Sequence, residues 1–296
     1  YIFEPWNPSL TQIILWRNLF SKKTKILFFT HENIYRTYHD RFFYRLIFYN
    51  LIERYNLNHV DGCVAATNEI LQVMKKKGLT HKSLTLVNGD EIDPQFFYKK
   101  DVSKLKKKLG LSNFVVGFAG RLDEAKGIMT LIEAAGNLKN ENFTLLICGW
   151  GDEDFTKKMI DRIDSFGIKN KTHIINERLG RKIIDYYNLM DVIVVPSITT
   201  KYWKEQFGRV NIEAMACGTH VIGSDSGGIP EVIGDAGLIF KEKDSEDLKD
   251  KLLIVMKNKK LLNELSSKAQ KRVLDNFTGE KKAERSYSFY NDALNR

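Results

Sequence analysis

Long apolar segments alternate with amphipathic segments between residues 114 and 224, and this alternation limits the choice of fold more than any other feature. FVVGFAG at 114–120, FTLLICG at 143–149 and VIVVPS at 192–197 are continuous apolar runs that end in small or turn-forming residues. Runs of this kind are typical of strands buried on both faces. The alternation predicts an α/β fold with parallel sheets, whose ligands bind at the carboxyl ends of the strands.

Two carboxylates stand on either side of a glycine in the segment EQFGRVNIEAMA. The pattern places Glu205 in a loop and Glu213 in a short helix, with Gly208 allowing a tight backbone entry between them. An ionised carboxylate can accept hydrogen bonds from two neighbouring hydroxyls of a sugar, so two carboxylates could hold two sugars. A helix start offers backbone N–H groups to a diphosphate. The residues that would supply them here are Phe207, Gly208 and Arg209.

This block resembles the signature of family 4 retaining glycosyltransferases of the GT-B fold. That signature is Glu, a small residue, Phe-Gly, four residues, then Glu-Ala-Met-Ala and a Gly, and this chain has Gln206 in the place of the small residue. The resemblance implies that Glu205 contacts the donor sugar and that Glu213 contacts the nucleotide ribose. It also implies two Rossmann-like domains whose parallel sheets face a cleft.

A basic loop follows the first apolar run and carries Gly120, Arg121 and Lys126. The guanidinium fork of an arginine and the point charge of a lysine both suit phosphate oxygens, although such residues in loops are usually only solvated. In the family that this chain resembles, the corresponding pair stabilises the leaving diphosphate, which implies that role for Arg121 and Lys126. In the later loop SDSGGIPE, we expect Gly227 and Gly228 to allow close approach of backbone donors to the ligand.

His31 follows the apolar run ILFFT. It is either a histidine satisfied within a loop or a ligand contact. Its place at a strand end, where ligand crevices of α/β proteins open, favours the second hypothesis. The resemblance implies that His31 contacts the donor sugar near the reacting carbon.

Two other motifs are less informative than they look. Gly149-Trp150-Gly151 lacks the third glycine of a dinucleotide fingerprint, which disfavours a dehydrogenase. Asp152-Glu153-Asp154 imitates an Asp-x-Asp metal motif, but its place at a helix start indicates capping acids. We therefore expect no metal and no cofactor. The expected donor substrate is a nucleoside diphosphate sugar.

The predicted organisation is a partial amino-terminal, acceptor-side domain over 1–105 and a nucleotide-sugar-binding domain over 106–275. The resemblance implies that a terminal helix, 276–296, returns to the first domain. The charged run at 98–110 is the expected linker. A complete first domain of this kind begins with a strand and a glycine-rich loop, and we expect such a segment ahead of Tyr1.

The positive charge is concentrated in the first part of the chain. Residues 1–110 carry 18 Lys plus Arg against 10 Asp plus Glu, a net charge of +8, whereas the remainder carries 28 against 27, a net charge of +1. A basic acceptor side predicts an anionic acceptor or an anionic membrane surface. The segment 36–54 interleaves arginines with aromatics and is either a lipid-interface helix or a core helix with a basic face.

Other classes of partner and compartment fit less well. No nucleic-acid-binding motif is recognisable, and no apolar run has the length of a membrane span. Cys63, Cys148 and Cys217 are isolated in apolar surroundings, as in a reduced, cytoplasmic protein. We expect a cytoplasmic location, with at most peripheral attachment at the inner face of the membrane.

The resemblance implies a retaining transferase that moves a hexose to a hydroxyl of a glycan or lipid-linked acceptor, in the synthesis of cell-envelope or exopolysaccharide glycans. No pair of opposed carboxylates of the glycosidase kind is evident, so catalysis would depend on stabilising the departing diphosphate. One alternative is a sugar-nucleotide epimerase, which would need acid and base groups that the sequence does not reveal. Another is a non-catalytic partner subunit, which the presence of both glutamates with Arg121 and Lys126 disfavours.

Overall fold

The computed structural model describes residues 4–34 and 43–295, and for residues 43–47 it describes the backbone alone. The chain forms two compact units: Tyr1–Asp90 together with Glu280–Arg296, and Glu91–Gly279. Each unit has its own sheet, and within each sheet every strand pairing among the described residues is parallel. The predicted α/β class with parallel sheets is therefore confirmed.

The helices and strands are, in chain order, α1 (Pro8–Phe20), β1 (Leu27–Thr30), α2 (Phe43–His59), β2 (Gly62–Ala65), α3 (Asn68–Lys77), β3 (Leu84–Val87), α4 (Ser103–Lys108), β4 (Phe114–Leu122), α5 (Ile128–Asn137), β5 (Phe143–Gly151), α6 (Glu153–Ser165), β6 (Thr172–Asn176), α7 (Ile183–Leu189), β7 (Val192–Val195), α8 (Arg209–Ala216), β8 (His220–Ser224), α9 (Ile229–Ile233), β9 (Leu238–Phe240), α10 (Ser245–Lys257), α11 (Lys259–Asn276) and α12 (Gly279–Leu294).

The first unit has a three-stranded sheet in the order β1-β2-β3. Helix α3 shows why its sequence folds as it does: the Thr67 side chain caps its start, Ile70 and Met74 bury its apolar face, and Gly78 ends it in the left-handed conformation at φ 113°. Helix α12 also belongs to this unit from residue 280 onward. Asn88, directly after β3, donates to the hydroxyl of Ser286 and to the Lys282 carbonyl of α12.

The second unit has a six-stranded sheet in the order β6-β5-β4-β7-β8-β9. The chain moves outward from β4 to β6 and then returns to place β7 beside β4. Ligands of such sheets bind at this point of reversal, outside the carboxyl ends of the strands. Strand β7 is covered on both faces, because Val192 and Val194 join one apolar core while Ile193 and Val195 join the other.

Several local expectations can be compared with the structure. Asp152 caps α6 by accepting a hydrogen bond from the Phe155 N–H at 2.8 Å, so its interpretation as a capping acid is confirmed. The run 98–110 contains α4 and belongs to the second unit, where Leu105 and Leu109 pack against the core. Among the helices in the described part of the chain, none combines the length and the apolar character needed to cross a bilayer.

Candidate functional site

The loops that follow β4 and β7 are packed directly against each other. After β4 a single turn of 3-10 helix ends at Gly127, which has a φ of 68°. A Cβ atom at Gly127 would overlap the carbonyl oxygen of Pro196, so this close approach requires glycine. The Ile198 N–H donates to the Ala125 carbonyl at 2.9 Å and fixes the two loops together. The side chains of both loops therefore share one end of the sheet.

This contact brings Lys126 to Glu205. The Nζ atom of Lys126 lies 2.7 Å from Oε2 of Glu205 and 4.7 Å from the ring centre of Trp203. The Ser197 hydroxyl, which is buried, donates to the same carboxylate oxygen at 2.9 Å. About a quarter of the Lys126 side chain, 24%, stays exposed. The pair is therefore partly desolvated and still reachable from solvent.

Asp123 connects Lys126 with Arg121. Its Oδ1 atom accepts from the backbone N–H of Lys126 at 2.9 Å, and its Oδ2 atom lies 3.2 Å from Nη2 of Arg121. The Arg121 side chain is 57% exposed, so the pair with Asp123 is weak and a ligand can compete for the guanidinium. Sequence reasoning missed Asp123. Its place directly after β4, three residues before Lys126, is the signal of a capping residue.

Gly227 and Gly228 hold the backbone of Glu205. The Gly228 N–H donates to the Glu205 carbonyl at 3.0 Å, and a Cβ atom at Gly227, whose φ is 58°, would overlap that oxygen. We expected this loop to offer its donors to a ligand. The amide of Gly228 instead stabilises the loop that carries Glu205, since the carbonyl of a tight loop needs a donor of its own.

Helix α8 begins beside Glu205 and carries Glu213 one turn later. Gly208 starts the helix at φ 79°, and a Cβ atom there would lie 3.6 Å from Cγ of Glu205. The Nε of Arg209 donates to Oε1 of Glu213 at 2.9 Å, and the hydroxyl of Tyr187 donates to Oε2 at 2.8 Å. The first N–H groups of a helix lack the acceptor that later residues find one turn back, although that of Asn211 donates to the Gly208 carbonyl at 2.8 Å. The two carboxylates thus lie on either side of an amino-terminal helix end, as the sequence predicts.

A cavity of about 610 Å³ opens beside Glu213. Arginine–aromatic pairs flank it: the guanidinium carbon of Arg178 lies 4.8 Å from the ring centre of Trp150, and that of Arg181 lies 4.1 Å from that of Phe96. Sequence reasoning missed all four of these residues. The signal for Trp150 is its place next to the glycine at the carboxyl end of β5. Gly120 and Phe207 were both predicted for the site. Gly120 lines the cavity, whereas Phe207 is buried in an apolar core of the second unit.

His31 lies in the first unit, directly after β1. Its ring packs edge-on against Phe29 with 4.7 Å between the ring centres, and Nδ1 is buried without a hydrogen-bond partner in the described part of the chain. Burial, which Asp90 opposes and Lys282 reinforces, lowers the pKa of His31 below its ordinary value. The imidazole is therefore neutral near pH 7.

The first unit also contains a cluster of charges that the sequence did not reveal. Lys77 Nζ lies 2.7 Å from Oε1 of Glu32 and 2.9 Å from Oε1 of Glu53. Burial, together with the nearby carboxylates of Glu32 and Glu53, raises the pKa of Glu4 to about 7, although Lys77 opposes the shift. Across the described residues, no group of three or more His, Cys, Asp or Glu side chains is arranged to hold a metal ion.

Comparison with known proteins decides the family. The sequence profile of the family described as Glycosyl transferases group 1 matches residues 100–272, more than half of the chain. The chain belongs to the group 1 glycosyltransferase family. The matched region contains every predicted site residue of the second unit. His31, the predicted site residue of the first unit, lies outside it.

Named relatives of this group 1 glycosyltransferase are moderately similar. N-acetyl-alpha-D-glucosaminyl L-malate synthase of Bacillus anthracis is 26% identical over 250 residues, which are 83% of this chain and 63% of that protein. The capsular polysaccharide biosynthesis glycosyltransferase CapM of Staphylococcus aureus is 29% identical over 204 residues, 67% of this chain and 52% of that protein. The chain therefore spans between about half and two thirds of these relatives.

Solved structures support the fold. HepE of Anabaena, in complex with UDP, has a TM-score of 0.81 at 21% identity and covers 96% of this chain and 76% of its own. Sucrose-phosphate synthase of Thermosynechococcus elongatus has a TM-score of 0.76 at 22% identity, with 98% of this chain and 72% of its own covered. This group 1 glycosyltransferase therefore has the α/β fold with parallel sheets of its GT-B neighbours.

Proposed function

We propose that this group 1 glycosyltransferase is a retaining enzyme of the family 4 type. It moves a hexose from a nucleoside diphosphate sugar to a hydroxyl of a glycan or lipid-linked acceptor, in the synthesis of cell-envelope or exopolysaccharide glycans. One observation carries this proposal: the Lys126–Glu205 pair lies beside the start of α8, and Glu213 follows one turn later. This order places cations and helix amides between two carboxylates, as a diphosphate between two sugars requires.

The nucleoside occupies the cavity beside Glu213. A volume of about 610 Å³ falls within the usual range of roughly 300–1,000 Å³ for small-molecule sites. The carboxylate of Glu213 accepts hydrogen bonds from the ribose diol, and Trp150 offers an aromatic surface to the base. The solved structures of HepE contain UDP, UDP with glucose, or UDP-glucose, which supports a nucleotide sugar as the donor.

The diphosphate binds next to Lys126, Arg121 and the first turn of α8. Lys126 pairs with Glu205 in the structure, so a diphosphate draws its ammonium group away and leaves the carboxylate to the hexose hydroxyls. Arg121, which is more exposed, adds a second positive charge. These groups supply the charge that a leaving diphosphate needs, and the proposal includes no metal ion.

In the transfer step the bond between the anomeric carbon and the phosphate oxygen breaks, and its electron pair goes to the leaving diphosphate. The acceptor oxygen attacks the same face and forms the new bond to that carbon. Its proton passes to a phosphate oxygen. Because Lys126 and Arg121 stabilise the charge that develops on the phosphate, they lower the barrier. Glu205 orients the hexose.

We assign the donor to the second unit and the acceptor to the first unit. Helix α1 exposes large apolar side chains, among them Trp16, Leu19 and Phe20, and the exposed Lys22 and Lys23 follow it. An apolar face beside lysines suits an anionic lipid surface, which supports a cytoplasmic enzyme attached peripherally to the inner face of the membrane. The stretch 36–54, for which a lipid-interface helix and a core helix are the two hypotheses, lies outside the described residues over 36–42. Flotation with anionic and neutral vesicles tests the surface, and equal behaviour in both contradicts it.

Calorimetry and product analysis test the function. Titration with UDP, GDP, ADP and dTDP should show binding of at least one, and Glu213→Ala should weaken it. Glu264→Ala is the matched control, because Glu264 belongs to a surface pair with Lys260. No binding of any of the four would contradict the proposal.

Incubation of the donor sugar alone separates the epimerase alternative, since only an epimerase converts the donor without an acceptor. The anomeric configuration of the product tests retention.

A further inference from the structure

Tyr187 is a buried tyrosine directed at the ribose-side carboxylate. Its side chain is 1% exposed, and its hydroxyl donates to Oε2 of Glu213 at 2.8 Å. Burial and the nearby Glu213 carboxylate raise the pKa of Tyr187 well above its ordinary value. The phenol is thus protonated at every pH at which the enzyme would work. It is a permanent hydrogen-bond donor to Glu213.

The backbone around Tyr187 fixes where this donor lies. Tyr187 is on α7, and its carbonyl accepts from the Thr219 hydroxyl at 2.6 Å, just before β8. The backbone of Tyr187 is therefore tied to the connection into β8, and the burial of the residue restricts movement of its ring. The ring also lines the cavity. Because both the backbone and the ring of Tyr187 are restrained, its hydroxyl can set the orientation of the Glu213 carboxylate.

Arg209 and Tyr187 both donate to Glu213, and they differ in how easily they can leave. The Arg209 side chain, which donates to Oε1, is 59% exposed, whereas the Glu213 side chain is 15% exposed. Arginine pairs at such exposed positions contribute little and exchange readily. The Tyr187 hydroxyl donates from the interior, where water cannot replace it. A ligand hydroxyl can therefore displace Arg209 from the carboxylate while Tyr187 keeps the carboxylate in place.

We propose that Tyr187 is a positioning residue that fixes the Glu213 carboxylate for recognition of the ribose 2′,3′-diol. This inference rests on the proposed function, since it takes Glu213 to contact the ribose. Tyr187 itself does not contact the diol. It acts through Glu213, and its effect must therefore depend on the presence of the ribose hydroxyls.

Binding of ribonucleoside and 2′,3′-dideoxyribonucleoside diphosphates to the Tyr187→Phe variant tests this. The variant deletes one hydroxyl and keeps the ring. It should weaken binding of the ribonucleoside diphosphate about tenfold, in line with a hydrogen bond to a charged group, and leave the dideoxy compound within about twofold. A merely structural role would weaken both equally. Tyr186→Phe is the matched control, since Tyr186 is the neighbouring tyrosine on α7 and packs against the same core.

A second variant keeps the test decisive if Tyr187→Phe folds poorly. The single change removes one hydrogen-bond donor from a partly buried carboxylate, whereas removal of both partners is often nearly neutral. The double variant Tyr187→Phe/Glu213→Ala should bind the ribonucleoside diphosphate as weakly as Glu213→Ala alone. A further loss in the double variant would overturn the inference. Equal losses for both nucleotides in Tyr187→Phe would overturn it while leaving the proposed function intact. Failure of the unaltered protein to bind any nucleotide would overturn both.

Discussion

Each unit places a lysine against a carboxylate that follows a strand, but the two arrangements differ in burial and in charge balance. In the second unit Lys126 is 24% exposed and pairs with Glu205. In the first unit Lys77 is 4% exposed and pairs with both Glu32 and Glu53. A half-open pair can exchange one partner for a ligand, whereas a closed pair cannot do so without unfolding its surroundings. Burial therefore distinguishes a binding pair from a structural pair.

The charge balance leads to the same distinction. The site of the second unit has Arg121 and Arg209 besides Lys126, so it can accept an anion. Among the residues that the structure describes, the buried cluster of the first unit has one lysine for three carboxylates, counting Glu4. Although the first part of the chain is basic in net charge, this buried part of it is acidic. A basic surface thus says nothing about the charge of the interior beneath it.

Replacement of Lys77 should have the largest effect. Lys77→Met leaves Glu32 and Glu53 buried without their cation, and breaking a buried pair in this way costs roughly 3–5 kcal/mol. We expect the free energy of unfolding to fall by that amount in urea denaturation. Lys76→Met is the control, since Lys76 is exposed on the same helix. Equal stability of the two variants would show that the Lys77 cluster does not hold the first unit together.

Replacement of Lys126 should act on turnover instead of on stability. Lys126→Met removes a charge partner of the leaving diphosphate, and losses of this kind lower kcat by about 10²–10³-fold. The unfolding free energy should change much less than in Lys77→Met, because the Lys126–Glu205 pair is partly solvated. Steady-state kinetics and urea denaturation measure the two quantities.

Lys171→Met is the matched control for Lys126. Lys171 also lies over an aromatic ring, that of Phe143, with 5.2 Å between Nζ and the ring centre. It lies near the amino end of β5, away from the strand ends that carry the site. A variant of Lys126 that unfolds as readily as Lys77→Met would remove the distinction between the two pairs.

Removal of the Ser197 hydroxyl should have an intermediate effect. Ser197→Ala deprives Glu205 of a buried donor, and we expect kcat/KM for the donor sugar to fall about tenfold with little change in stability. Ser267→Ala, on the exposed face of α11, is the control. If Ser197→Ala lost as much unfolding free energy as transition-state stabilisation, Ser197 would have a structural role like that of Glu32 and Glu53.

The sheet and the main site residues could be predicted because their signals are local. Apolar runs identified the strands of the second unit, and the segment around Gly208 predicted the entry to α8 between Glu205 and Glu213. Asp123 and Ser197 were missed because their roles depend on how two loops meet. That meeting is decided by Gly127, whose missing side chain lets the loops approach, and nothing near Gly127 in the sequence shows which loop it will contact.

The Lys77 cluster could not be predicted for a related reason. Glu4, Glu32, Glu53 and Lys77 come from four separate segments, and each by itself resembles an ordinary surface charge. Only the packing of α2 and α3 with the loops around β1 buries them together. Long-range burial of charge leaves no periodic pattern, so sequence analysis assigns such residues to the surface.

The pH dependence of stability should show the smallest effect. The pKa of Glu4 is about 7 in the folded chain and 4.5 ordinarily, so between these values the folded chain holds a proton that the unfolded chain releases. This contribution to stability is present below pH 4.5 and is lost as the pH rises towards 7. Glu4→Gln keeps the group neutral at every pH. Its Tm should exceed that of the unaltered protein at pH 8, by an amount on the order of 2 °C because Glu4 is partly solvated, and should match it near pH 4.

Glu284→Gln is the control for this measurement, since Glu284 belongs to an exposed pair with Lys281 in the same unit. It should show no rise in Tm at pH 8, because its carboxylate stays largely exposed to solvent in the folded chain. A Glu4→Gln variant that melts below the unaltered protein at pH 8 would mean that an ionised Glu4 stabilises the cluster. In that case Lys77 compensates the ionised carboxylates of Glu4, Glu32 and Glu53 together. The difference in charge balance between this cluster and the Lys126 site would then be lost.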